Sequence, residues 1–200
     1  MMVLPQEELT ATEARLANLA VPEVSVWASE ARENALARLR AAGLPGRRDE
    51  YWKYTDPARL VSPDPVPASL FSDPDDTPVF GEIDRLKIVF VDGVFDPDAS
   101  DDLALDHVEI ERLAAAEQRD IHWAKELFGV LEANGQDPVR RPLAALNTAF
   151  ATDGVVVRVA GKAPKPISLV YLHKSETSDA ILHHIVKIEE GAELTLLENG

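Results

Sequence analysis

Residues 152–200 contain one short pattern written twice, and that repeat limits the fold more than any other feature of the chain. The first copy reads Val156-Val157-Arg158-Val159, a loop holding Gly161, then Ile167-Ser168-Leu169-Val170. The second reads Ile185-Val186-Lys187-Ile188, a loop holding Gly191, then Leu194-Thr195-Leu196-Leu197. Both place two apolar residues before a cation and a β-branched residue, then set a hydroxyl side chain inside an apolar run. The first halves are 185 − 156 = 29 residues apart and the second halves 194 − 167 = 27, so the second loop is expected to be two residues shorter. Self-similarity at this period, with a short strand on each side of a turn, predicts stacked coils of a parallel β-helix. Each coil leaves an apolar interior that only a neighbour covers, and two coils are too few to stand alone. The segment Leu194–Leu197 is therefore expected to present an open edge and an apolar end, favouring self-association as a homodimer.

The residues before the repeat read as helices and one hairpin, an α+β chain overall. Residues 6–20 are rich in Glu, Ala and Leu. In 24–42, Val24, Trp27, Ala28, Ala31, Ala35, Leu39 and Ala42 follow a 3.6-residue period, and Gly43 and Pro45 stop it. Five prolines among Ser and Asp make 61–80 a loop or linker, and Asp73, Asp75 and Asp76 lack the spacing of a calcium loop. Leu86–Phe95 is a β-hairpin with Asp92-Gly93 at its turn. A short strand around 107–110 and a helical turn around 112–117 follow. One helix over 120–133 is expected to bury Ile121, Ala124, Phe128 and Leu131, and another begins at Pro142 and runs through Leu143, Leu146 and Phe150. The expected divisions are thus a helical region 1–60, a linker 61–85, hairpin and helices 86–151, and β-helix coils 152–200.

Composition removes several classes of function. Net charge is −15 and no basic run is longer than Arg47-Arg48 or Arg140-Arg141, which argues against a nucleic-acid surface. The chain has no cysteine, so it supplies neither disulfides nor thiolate metal ligands. Residues 1–8 carry no basic flank and no apolar run, so neither a signal peptide nor a membrane anchor is read there, and a cytoplasmic location is expected. Phosphate-loop and dinucleotide glycine motifs are missing, and no serine lies in a nucleophile elbow. The one metal-like set is His183, His184 and Glu189, which has the residue types of a cupin-like metal-dependent enzyme. Neighbouring strand residues face opposite ways, so both imidazoles reach one ion only through a bulge. His184 is expected to face inward and His183 outward, while the lone His122 is given a surface or structural place. Tyr51, Trp52 and Tyr54, interleaved with charges, offer a stacking platform for a base or sugar. The favoured alternative is an anchor whose apolar bodies are buried.

Several blocks together resemble one family. Arg48-Asp49-Glu50-Tyr51-Trp52-Lys53-Tyr54-Thr55 is similar to the Arg-x-Glu-x-Trp-Lys-Tyr-Thr segment near the start of the SufD branch of the SufB/SufD family, which serves the SUF iron–sulfur cluster assembly machinery. Phe90–Phe95 looks like its hairpin. Leu146–Val155, Pro166-Ile167 and Glu189-Glu190-Gly191-Ala192-Glu193 resemble the approach to its β-helix. The resemblance implies the N-terminal half of a non-catalytic scaffold subunit, with no catalytic, cofactor-binding or metal-binding residue carried over to this chain. It implies a SufB-like paralogue and a SufC-like ATPase as partners, their contacts falling mostly beyond residue 200, and a cluster built by the SufBCD complex with no cofactor held by these residues. No nucleic-acid or membrane partner is implied.

Overall fold

A computed structural model describes residues 6–47, 49–64, 66–67, 79–135 and 139–200. The chain forms two compact units, each assembled from two separate stretches: Met1–Val66 with Glu117–Ala151, and Pro67–Ala116 with Thr152–Gly200.

The first unit is helical. Helix α1 spans Gln6–Leu16 and α2 spans Val26–Ala42. Ala, Leu, Glu and Arg, all good helix formers, dominate α2. Gly43 closes it at a φ of 69°, a conformation that glycine adopts without steric cost, and its N–H returns to the Leu39 carbonyl at 2.8 Å. The buried face of α2 carries Trp27, Ala28, Ala35 and Leu39, as the period predicts, and it also carries Arg32, which the period does not. Trp27 donates its indole N–H to the Arg119 carbonyl at 2.8 Å, stacks on His122 and meets Phe128 edge-on. Helix α2 packs on the helix Pro142–Phe150.

Arg32 explains how this unit closes. Its guanidinium is fully buried, donates to the carbonyls of Ala149 and Ala151 at 3.0 and 2.8 Å, and meets the Glu117 carboxylate at 2.7 Å. A cation in such a place persists only with an opposite charge and hydrogen-bond acceptors around it, and all are present.

The single helix expected over 120–133 is not formed. His122 accepts the Ala124 N–H on Nδ1 at 3.0 Å and caps a 3-10 turn, Trp123–Glu126. Gly129 then takes a φ of 72°, where an added Cβ would lie 2.9 Å from Thr148 Cγ2, and a short helix occupies Val130–Asn134. Breaking the period there buries Ala124 and Phe128 but leaves Ile121 and Leu131 92% and 81% exposed.

Among the described residues seven strands build the second unit: β1 (Leu86–Val91), β2 (Val94–Phe95), β3 (Val108–Arg112), β4 (Val155–Val159), β5 (Ile167–Leu172), β6 (Ile185–Ile188) and β7 (Leu196–Asn199). Leu113–Ala116 adds one helical turn. One sheet has the order β2-β1-β5-β7 and the other β3-β4-β6, and both mix parallel with antiparallel pairs. Asp92 and Gly93, at φ of 50° and 81°, make the expected tight turn between β1 and β2. Leu86, Ile88, Phe90, Ile167 and Leu169 from one sheet form a single buried cluster with Val155, Val157 and Val159 from the other. Burying each such side chain is worth about 1.5–3 kcal/mol.

The repeat seen in the sequence is a ladder in space. Val156 pairs with Ile185 and Ile167 with Leu196, both in parallel register, and both steps are 29 residues (185 − 156 and 196 − 167). The expected 27-residue offset of the second half is corrected: the strand starts at Leu196, two residues later, so the two loops are equal in length. Leu194 packs with Ala192 against the core, and the Thr195 carbonyl accepts the Ile167 N–H at 3.0 Å, while Ser168 lies opposite Leu197. The hydroxyl match between Ser168 and Thr195 was therefore a coincidence of composition. On β6 and β7, Val186, Ile188 and Leu196 remain exposed, beside ladder edges with no strand paired to them among the described residues. Asp73, Asp75 and Asp76 of the linker lie outside the described residues.

Candidate functional site

The three residues expected to resemble a metal site do not come together. Gly154 holds the key to their surroundings, because β4 and β6 approach too closely there for any side chain: a Cβ would sit 1.9 Å from the His183 carbonyl oxygen. The His183 N–H donates to Asp153 O at 3.0 Å, which keeps the chain extended and sends His183 and His184 to opposite faces. His184 turns toward the interior, as expected. Its Nδ1 accepts the Val155 backbone N–H at 3.0 Å, so its proton sits on Nε2, which faces the Tyr171 hydroxyl at 3.0 Å. Tyr171 in turn donates to the Glu198 carboxylate at 3.0 Å, and Phe90 packs against both rings.

The polarity of this chain runs one way, from backbone N–H to imidazole to phenol to carboxylate. Burial pushes the His184 pKa below its ordinary value, and burial with the Glu198 hydrogen bond pushes that of Tyr171 up. Both groups are therefore neutral at physiological pH. With each ring nitrogen already engaged, His184 offers no lone pair to a metal ion. Glu189 is occupied elsewhere, bonded to Arg158 at 2.7 Å and Lys187 at 3.3 Å, and the Arg158 hydrogen bond holds its carboxyl below the usual range. The ligand atoms of His183, His184 and Glu189 do not gather to ion-binding distance of one another.

A second joint supports the same unit. Asp153 accepts from Arg112 at Nε (2.9 Å), from the Gly154 N–H (2.9 Å) and from the Ala114 N–H (3.3 Å). Arg112 also lies over the Phe95 ring, 5.0 Å from its centre. Asp92 ties the hairpin turn to the crossover after β5, accepting the N–H groups of Lys174 and Ser175 at 3.0 and 3.1 Å. The Ser175 bond leads the causes that lower its pKa. His173 and Ser178 stand nearby, but Ser178 Oγ and Asp92 both approach the same imidazole nitrogen, Nδ1. A nucleophilic triad needs them on opposite nitrogens, so this cluster holds a loop and activates nothing.

In the helical unit, the aromatic segment departs from the expected buried anchor. Asp49 caps a 3-10 turn, Glu50–Trp52, through the Tyr51 N–H at 3.1 Å, and this presents Tyr51 and Tyr54 outward at 66% and 90% exposure while Trp52 is half-buried. An open pocket of about 360 Å³ adjoins it, and its far wall includes Arg140 and Arg141. Tyr171, Glu198 and this arginine wall were not singled out as site residues from sequence. Only the Arg140-Arg141-Pro142 start of a helix hinted at the last of them.

Comparison with known proteins matches the model of the SufBD protein N-terminal region to residues 19–168, three quarters of the chain. The chain belongs to the SufB/SufD family of SUF iron–sulfur cluster assembly proteins, whose members work in a SUF complex. No curated protein matches it. No helix among the described residues is long and apolar enough to cross a membrane.

Proposed function

We propose that this chain is part of a SufD-like, non-catalytic scaffold subunit that acts in the cytoplasm with a SufB-like paralogue and a SufC-like ATPase. The observation that carries the reading is the common 29-residue step of the β4–β6 and β5–β7 ladders, on a chain of this family. In this reading the two ladders are the opening turns of a right-handed parallel β-helix. Such a stack presents long, rigid strand edges on which other subunits can be aligned, which is what a scaffold requires. Its polar groups serve the fold: His184, Asp153, Asp92 and Arg32 all bond backbone groups that join segments distant in sequence. The nascent cluster is cargo of the complex, and residues 1–200 contribute no thiolate to it.

The test is affinity isolation from the native cytosol, with this chain and its longest natural form as parallel baits and mass spectrometry as the readout. Recovery of a SufB-like protein and a SufC-like ATPase by the longer bait supports the scaffold. Recovery of neither, under conditions where the bait is folded, overturns it.

A further inference from the structure

We propose that the pocket between the Glu50–Trp52 turn and the start of the helix Pro142–Phe150 docks an acidic peptide segment carrying one bulky apolar side chain. The pocket lies wholly within the helical unit. Its floor is apolar: the half-buried indole of Trp52, Val139, Pro142 and Leu143. Its mouth is aromatic and cationic, with Tyr51, Arg140 and Arg141 all exposed. A volume of about 360 Å³ accommodates one large side chain with its backbone. Tyr, Trp and Arg are the residues that most often dominate binding energy at protein interfaces, because each pairs a rigid apolar body with a polar tip.

Charge selects the partner. In a chain of net charge −15, the adjacent Arg140 and Arg141 lining one pocket stand out, the Arg141 guanidinium lying close to Gly135. Arg140 makes no ion pair among the described residues, and Lys53 adds a cation on the same turn, 4.9 Å from the Tyr54 ring centre. Of the neighbouring acids, Asp49 and Asp56 are turned to backbone N–H groups, those of Tyr51 and Ala58 at 3.1 and 3.0 Å, and Glu50 is exposed on the same turn, so the cationic character of the mouth comes from Arg140 and Arg141. The helix beyond adds to the same polarity, since Arg141 precedes it and no side chain caps its first turn. A nucleic acid strand needs a cationic track that follows successive phosphates, and here the cations cluster at one point over an apolar floor. That arrangement fits one or two carboxylates flanking a Leu, Phe or Trp.

A phage-displayed random peptide library panned on the 200-residue chain tests the proposal without presuming a sequence, and the enriched peptides are then titrated as fluorescein conjugates by anisotropy. The expected winners carry acidic residues beside a bulky apolar one, and their affinity falls as salt rises. The double variant Tyr51→Ser/Arg140→Glu changes only exposed side chains, so its far-UV circular dichroism should match the parent while its affinity drops by about tenfold or more. No enrichment, enriched peptides without acidic residues, undiminished binding by the double variant, or binding of single-stranded oligothymidylate in place of the peptides each overturns the proposal.

Discussion

Replacing Arg32 by methionine should cost the helical unit about 3–5 kcal/mol, the range for removing one member of a buried ion pair. The bonds involved give the same scale. The contact to Glu117 is charge-assisted, worth about 1.5–3 kcal/mol, and the Ala149 and Ala151 carbonyls would each lose a donor at about 1–3 kcal/mol. These contributions overlap, so they do not simply add, yet the total is a large part of the 5–15 kcal/mol that a domain typically possesses. Arg32→Met/Glu117→Leu removes both charges and should recover part of the loss, leaving about 1–3 kcal/mol for the two carbonyls. Urea titration followed by tryptophan fluorescence reads this unit alone, because Trp27, Trp52 and Trp123 all lie within it. A single variant within about 1 kcal/mol of the parent, or a double variant as damaged as the single, would show that Arg32 does not hold the three segments together.

Gly154→Ala should be among the most damaging small substitutions in the sheet unit. The new Cβ meets main-chain atoms 1.9 Å away, so β4 and β6 must part, and a loss of about 3 kcal/mol or more is expected by circular dichroism; a near-parental melting curve would contradict the close approach. Stability of this unit should also fall in acid through His184. Its folded pKa is lowered by burial, so the unfolded chain takes up the proton first. The contribution is complete above the ordinary histidine value of about 6.5 and is lost as pH drops below it toward the depressed folded value. His184→Asn should flatten the slope between neutral and mildly acid pH, and an unchanged slope would locate the titration elsewhere. Finally, sedimentation of the 200-residue chain should show concentration-dependent association through the edges of β6 and β7, reduced by Ile188→Lys; a monodisperse monomer at high concentration for the parent would refute it.

Patterns repeated locally were legible in the sequence, and contacts between distant segments were not. The period of α2, the Asp92-Gly93 turn and the 29-residue step are all written within short windows, so spacing alone located them. The second strand of the repeat was displaced by two residues because Leu194 and Leu196 are equally apolar, and only packing decides which one joins the ladder. The helix expected over 120–133 failed at Gly129, where the nearby Thr148 side chain leaves no room for a Cβ, and Thr148 is remote in sequence. Arg32 fell on an apolar face for a reason that lies in Glu117 and the end of the last helix. The site was less legible still. His184 was expected inward and is, but its partners Tyr171 and Glu198 come from two other strands. The aromatic turn was read as buried because nothing local indicated that Arg140 and Arg141 would face it.

The interleaving of the two units also sets an order of events during synthesis. The chain leaves the first unit after Val66, returns at Glu117, and leaves again after Ala151. Strand β1 therefore emerges from the ribosome with only β2 to pair, and waits 81 residues, from Leu86 to Ile167, for its parallel neighbour. The helical unit is finished during that wait, once Ala149 and Ala151 reach Arg32. Once about 160 residues have emerged from the ribosome, the nascent chain would thus hold one folded unit and one waiting hairpin with an unpaired apolar edge, the species that a ribosome-associated chaperone has most reason to cover.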